Sequence, residues 1–308
     1  MSAAEARLPP DAGMHARDYG RLFILAAIWG GSFIFMRVVA PVLGPLATAD
    51  LRVLLGGLML LAWFRISGFD PQWRDHWRHY AIIGVANSAV PFSLYAFAAL
   101  HVPAGYSAIL NSTAPLFGAV FAALWLEEPL TARKVAGLAL GCAGVAAVAW
   151  RGAGEFTPIV AWSVAACLGA ATCYGLSGIY IRKFARGIPS AGIAGCSQVC
   201  AGLLLLPGLV FVPGPVAFTP VFVSSLLGLG LACSGLAYLI YYRLMSDVGP
   251  TRALTVTFLV PIFGVLWGAL FLAERITLAT LVGGALILAG TFLTVTPSRR
   301  GAAPPRTT

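Results

Sequence analysis

Few side chains in this chain are equipped for chemistry. Of its 308 residues 10% are charged, and the groups able to bind or react stand isolated within long apolar runs. Arg52 is the outlier, about two helical turns into such a run, with Asp50 two residues earlier and so on another face. A guanidinium placed there either meets an anion, a carboxylate being the simplest, or stretches along its own stem to the nearest water.

Polar and aromatic residues recur at helical spacing. Trp29, Ser32, Phe33 and Met36 share one face, and Tyr174, Ser177 and Tyr180 share another. Asn87, Pro91 and Tyr95 form a third stripe with Ser88 beside it, and Ser234, Tyr238 and Tyr241 a fourth. Ser107, Asn111 and Pro115 align, as do Thr251, Thr255 and Phe258. Taken singly, Ser and Thr glue helices together and aromatics fill gaps. Taken as a set, Trp29, Ser32, Asn87, Ser88, Tyr95, Asn111, Tyr174, Ser177, Ser234, Tyr238, Tyr241 and Thr255 suit the lining of an uncharged, aromatic cavity for a small molecule.

Three prolines fall inside these runs, and each removes the hydrogen bond to the carbonyl four residues earlier. Pro91 frees Asn87, Pro115 frees Asn111 and Pro261 frees Thr257, marking either plain kinks or helix breaks that gate a site. Glu128 and Glu274 each stand where one apolar run gives way to the next, ahead of Thr131 and Thr277. They read as helix-end acids, each capping the next helix and tying two helices together.

Signatures of covalent and metal chemistry are missing: no HExxH, no GxSxG, no phosphate-binding loop and no paired acids in a polar loop. An enzyme acting on lipid-like substrates would need acids or histidines clustered at headgroup depth, and the nearest such pairs are Glu127-Glu128 and Asp75-His76. A membrane scaffold or sensor is the third class open to such a chain. The six cysteines lie in apolar runs without a CxxC pair, as buried free thiols do. No cofactor, metal ion or catalytic residue is expected. Besides Asp50 no acid lies well inside a run, which argues against ordinary proton coupling.

The elements that must hold these groups follow from composition. The chain is 59% hydrophobic with a mean hydropathy of +0.87, more than a soluble fold of this size buries. Ten apolar runs, near 19–39, 46–64, 78–100, 103–126, 132–150, 158–181, 188–212, 220–243, 250–272 and 277–296, each approach the length that spans a bilayer as a helix. The polar stretches 1–18 and 297–308 read as tails, and no cleavable leader is evident at the start. The one long connection, Ser67 to His79, places Trp73 and Trp77 a turn apart among charges and reads as a short interfacial helix.

Residues 105–144 reappear 146 positions later as 251–290 without a gap, and between Pro115 and Gly144 the two copies agree at 13 of 30 positions. The matches include Pro115 with Pro261, Glu128 with Glu274, Thr131 with Thr277, Gly137 with Gly283 and Gly144 with Gly290. Two units of five runs each, an odd number, require the second to enter the membrane from the opposite side. Counting Lys and Arg on alternate sides puts 16 of 20 on the side that carries both tails, the cytoplasmic one. That placement accounts for the net charge of +9 without a nucleic-acid partner.

Two inverted copies ending in runs like SAILNSTAPLFGAVFAALWLEEPLTARKVAGLALGCAGV, with WGGSF in the first span and ADLRVLLGG in the second, resemble the EamA-type members of the drug/metabolite transporter superfamily. The resemblance covers nearly the whole chain outside the tails. It implies an all-α membrane protein, with ten transmembrane helices as two inverted five-helix repeats, 19–150 and 158–296, around a central cavity. Spans one, three, four, six, eight and nine would line that cavity, with five and ten at the periphery. It also implies a multi-pass protein of the bacterial inner membrane, monomer or homodimer, exporting small metabolites, often amino acids, by alternating access. Pro115 and Pro261 match the repeat prolines, Glu128 and Glu274 the helix-end acids, and Trp29 and Arg52 the marks of the first half. The second copy departs from the pattern, with Gln198 opposite Arg52 and Ala237 opposite Pro91.

Overall fold

A computed structural model describes residues 14–151 and 157–296, and every regular element among them is helical. The tails 1–13 and 297–308, with Arg7, Arg299, Arg300 and Arg306, lie outside the described residues. Among the described residues eight helices are long and apolar enough to cross a membrane, and Val256–Leu272 is a shorter apolar one.

The segment α1 (Ala16–Ser67) holds the first two predicted spans as two helices that meet at a sharp kink. Its helical dihedrals fail at Gly44 (φ 77°, ψ 167°), between Pro41 and Pro45. Only glycine reaches that conformation cheaply, so the chain turns there without unwinding into a loop. Residues 16–18, expected in the tail, are helical, with Asp18 accepting from the His15 amide at 3.1 Å.

The predicted interfacial helix is not separate. Its tryptophans stand exposed on the opening turns of α2 (Trp73–Ala99), which runs on into the membrane. Nothing between His79 and Pro91 stops a helix once it has nucleated at Trp73. The missing amide of Pro91 is absorbed by a π-helical stretch, Val85–Ala89, so the backbone widens ahead of the proline and does not break.

The fourth predicted span is two pieces, α3 (Ala104–Asn111) and α4 (Ala114–Leu126), parted at Ser112 and Thr113, with Pro115 in the first turn of α4. There its missing amide costs nothing. Then follow α5 (Ala132–Arg151), α6 (Pro158–Phe184) and α7 (Ser190–Leu205), the last tightening into a 3-10 stretch, Leu206–Phe211, at Pro207. Helix α8 (Pro220–Val248) contains a second π stretch, Gly228–Leu236. The chain closes with the single turn α9 (Pro250–Ala253), α10 (Val256–Leu272) and α11 (Leu278–Val295). Pro261 therefore lies inside α10, and the interruption in the ninth span comes at Leu254 and Thr255, ahead of where the repeat puts it.

Local chemistry repeats with the sequence. Glu127 (φ 56°) and Ala273 (φ 52°), 146 apart, take the left-handed conformation that ends α4 and α10, at about 1–2 kcal/mol each for a residue with a Cβ. The following amides close the same turn, Glu128 onto the Ala122 carbonyl at 3.2 Å and Glu274 onto Gly268 at 3.1 Å. The next helices are capped by the threonines, not the glutamates. Thr131 accepts from Lys134 at 3.3 Å and Thr277 from Thr280 at 3.1 Å.

Glycines set the closest crossings. A Cβ on Gly137 would lie 2.6 Å from the Gly290 carbonyl oxygen, and one on Gly144 2.7 Å from that of Gly283. Helices α5 and α11 thus run antiparallel with backbones touching. Since Gly137 matches Gly283 and Gly144 matches Gly290, the two contacts are one contact seen from either copy. Gly30 meets α10 at Phe263 and Gly264, and Gly175 meets α4 at Phe117 and Gly118. At one end of α7 Gly192 sits by Pro71 and Tyr80; at the other Leu46 packs on Gly208.

Candidate functional site: an aromatic cluster around a buried arginine

Helix α1 supplies the first wall. Its Trp29 rests against Tyr238 and Tyr241 of α8, with ring centroids 5.8 and 5.3 Å away, and its indole N–H donates to the Cys233 carbonyl at 3.2 Å. One turn on, Phe33 meets the edge of Tyr95 at 5.6 Å. Tyr95 stacks on Tyr174 of α6 at 6.2 Å and donates its hydroxyl to Asn111 Oδ1 at 2.9 Å. Asn111 is the last residue of α3, where the chain leaves the helix. Residues from α1, α2, α3, α6 and α8 thus meet in one place.

Arg52 lies among them. It is 5% exposed, so it does not stretch to water at the membrane edge. Its Nε donates to Ser234 Oγ at 2.9 Å, its Nη1 lies 3.7 Å from the Met36 sulfur, and the guanidinium carbon sits 3.7 Å above the centre of the Phe92 ring. It is near enough to Tyr174, Tyr238 and Cys233 to act on each electrostatically. Its repeat mate Gln198 converges on the same residue, donating to the Ser234 carbonyl at 3.0 Å and to Ala194 at 3.2 Å. Both meet at the second π stretch, where Ser234 is held against α1: a Cβ on Gly56 would fall 2.5 Å from that of Ser234.

The other predicted residues divide. Ser32 is buried but spends its hydroxyl on the Trp29 carbonyl at 2.7 Å. Ser88 and Ser177 are buried with no partner for their hydroxyls among the described residues, and Asn87 is half-buried in the first π stretch beside Ser88. Thr255 is not brought in: it is exposed at the α9–α10 joint, donating to the Arg252 carbonyl at 2.7 Å. Of the prolines expected to break helices, Pro115 adjoins a break, whereas helix continues through Pro91 and Pro261. Asp50 is wholly buried and neither carboxylate oxygen has a hydrogen-bond partner among the described residues. Phe92, which carries the Arg52 guanidinium, was missed by sequence reasoning. It is one residue past Pro91 and a turn from Ser88 and Tyr95, so the stripe contained it, but its apolar side chain gave no sign.

The two helix-end acids behave differently. Glu274 reaches across to the start of α3, its Oε1 accepting from the Ala104 amide at 2.7 Å and its Oε2 from Gly105 at 3.3 Å, with Arg37 at 4.0 Å. It thus caps a helix of the other copy, where a carboxylate meets the positive helix end. Glu128 holds Arg182 at 2.5 Å and Lys134 at 3.3 Å instead. The Arg182 hydrogen bond, helped by Lys134, keeps its carboxyl below the usual range. Beside the aromatic cluster a groove of about 390 Å³ runs between α1 and α8, lined by Arg21, Ile24, Leu239, Ile240 and Arg243.

The profile of the EamA-like transporter family matches residues 20–150 and again 161–296. An uncharacterized transporter of Bacillus subtilis, YvbV, is 26% identical over 280 residues, covering 90% of this chain and 91% of its own. Protein PecM of Dickeya dadantii is 26% identical, covering 91% and 92%. A probable terminal-alkyne amino-acid exporter of Streptantibioticus cattleyicolor is 29% identical over 219 residues, covering 69% and 71%. A solved crystal structure superposes with a TM-score of 0.64 at 20% identity, covering 91% of this chain and 96% of that one, which shows a shared fold. With its apolar helices and its twice-matched profile, this multi-pass membrane protein belongs to the EamA-like transporter family.

Proposed function

We propose that the protein exports small polar or zwitterionic metabolites, amino acids above all, across the bacterial inner membrane by alternating access, with both termini in the cytoplasm. The observation that carries this reading is the meeting of Trp29, Tyr95, Asn111, Tyr174, Tyr238 and Tyr241, from five helices of both halves, around Arg52. Aromatic faces with a few fixed polar groups are what a small amphipathic molecule requires. The name borne by the Streptantibioticus relative favours the amino-acid class.

On this reading α1 counts as two spans divided at Gly44, and α3 with α4, and α9 with α10, as one each, making ten in two inverted repeats around a central cavity. The antiparallel glycine contact between α5 and α11 supports the inversion. Two copies of one unit in unlike geometries support alternating access, because exchanging the geometries turns the site to face the other way. Glu274 capping α3 while Glu128 holds side chains is one such difference, and the displaced break before Pro261 is another.

Purified protein in liposomes, challenged with a panel of labelled amino acids, tests the proposal. Flux of at least one compound is expected, and Asn111→Leu, which removes the acceptor for Tyr95, abolishes it. Absence of flux across the whole panel would count decisively against transport.

A further inference from the structure

Arg52 has more hydrogen-bonding capacity than the protein uses. Of its five N–H groups, the one on Nε goes to Ser234, and Nη1 faces the Met36 sulfur, a weak acceptor. No carboxylate lies within 4.0 Å of it among the described residues. A buried cation without a counter-charge is expensive even after the protein relaxes, so its retention needs a reason.

Holding helices together does not supply one. The repeat mate, Gln198, ties the same Ser234 to α7 with a neutral amide and backbone acceptors. An uncharged side chain is enough for that task, and the charge belongs to the first copy alone.

The mounting is specific. Ser234 fixes the inner end of the guanidinium through Nε, and Phe92 supports its face at 3.7 Å. A guanidinium held by Nε and by one face presents its two terminal nitrogens edge-on, the fork that matches both oxygens of a carboxylate. Tyr174 and Tyr238, the rings within its electrostatic reach, belong to the aromatic cluster.

We propose that Arg52 is the carboxylate-recognising group of the cavity, so that the cargo is a small molecule bearing a free carboxylate, bound two-pronged by the Arg52 fork with its remainder against Trp29, Tyr174 and Tyr238. This rests on the transport reading for the cavity's purpose, but binding alone tests it.

The probes are matched pairs, alanine, leucine and phenylalanine against their carboxamides, with affinity read as ligand-induced thermal stabilisation of the purified full chain. The acids are expected to bind at least tenfold tighter than the amides. Arg52→Gln removes the preference, and Arg52→Lys restores part of it, keeping the charge without the fork. Ser234→Ala, which leaves the charge and removes its brace, weakens acid binding several-fold with little effect on the amides, and it serves if Arg52→Gln does not fold. Equal binding of acids and amides by the parent, no acid binding at all, or a preference that survives in Arg52→Gln would each overturn the assignment. Acid binding that disappears in Arg52→Gln, with no flux in liposomes, would sustain Arg52 as the carboxylate site and remove the transport reading alone.

Discussion

Glu274 and Glu128 occupy matching positions in the repeat and take different partners, and each makes its own prediction. Glu274 neutralises two free amides at the start of α3, so Glu274→Ala should lower stability by about 1–3 kcal/mol, and Glu274→Gln by less. Thermal unfolding in detergent measures both. Glu128 is held below its ordinary value of about 4.3 by Arg182 and Lys134. A carboxyl with a depressed folded pKa stabilises at pH above its unfolded value and loses that contribution as pH falls through the folded one. The gap in unfolding midpoint between the parent and Glu128→Gln should therefore be steady above about pH 5 and close in more acidic buffer. A gap indifferent to acid would show that the ion pair adds nothing. Neither partner set was legible in the sequence. The acids, their spacing and their threonine neighbours were, but Ala104 and Arg182 lie far from them along the chain, and only packing brings them near.

At the scale of the element, the prolines show where pattern reading works and where it stops. Loss of the backbone hydrogen bond is certain at Pro91, Pro115 and Pro261 alike, but how the helix responds depends on its neighbours. At Pro115 the chain breaks two residues earlier, at Pro91 it widens into a π turn, and at Pro261 it carries on. The two π stretches, Val85–Ala89 and Gly228–Leu236, overlap when shifted by 146 residues, a correspondence that no residue type announces. A contrast follows. Pro261→Ala restores an interior helix position, where proline costs about 3 kcal/mol, and should raise the unfolding midpoint by several degrees. Pro115→Ala acts in a first turn and should leave it nearly unchanged. If the two substitutions behaved alike, the repeat mates would be equivalent after all.

For the molecule as a whole, the helical and apolar character of the runs survived better than their edges. Spans one and two follow each other without a loop because the chain turns within the single residue Gly44, and the predicted interfacial helix became the entrance to α2 because nothing halts it. Spacing put Trp29, Tyr95, Asn111, Tyr174, Tyr238 and Tyr241 on faces that packing brings near one another, but it left open where Arg52 points and gave no sign of Phe92. The proposed inversion can be tested directly. In a background without the six native cysteines, thiols introduced at Pro45 and Ser190 should label from opposite sides of the membrane, as their places at opposite ends of α7 require. Labelling from one side would remove the flip and the exporter reading with it.

The seam between α5 and α11 has a mechanical meaning. Where main chains meet at Gly137, Gly144, Gly283 and Gly290, the side chains of Thr294, Ile287 and Val148 crowd against the same glycines, and even a methyl group finds no room. On the alternating-access reading proposed above, this pair serves as the fixed post, and the remaining helices carry whatever swings to open one face or the other.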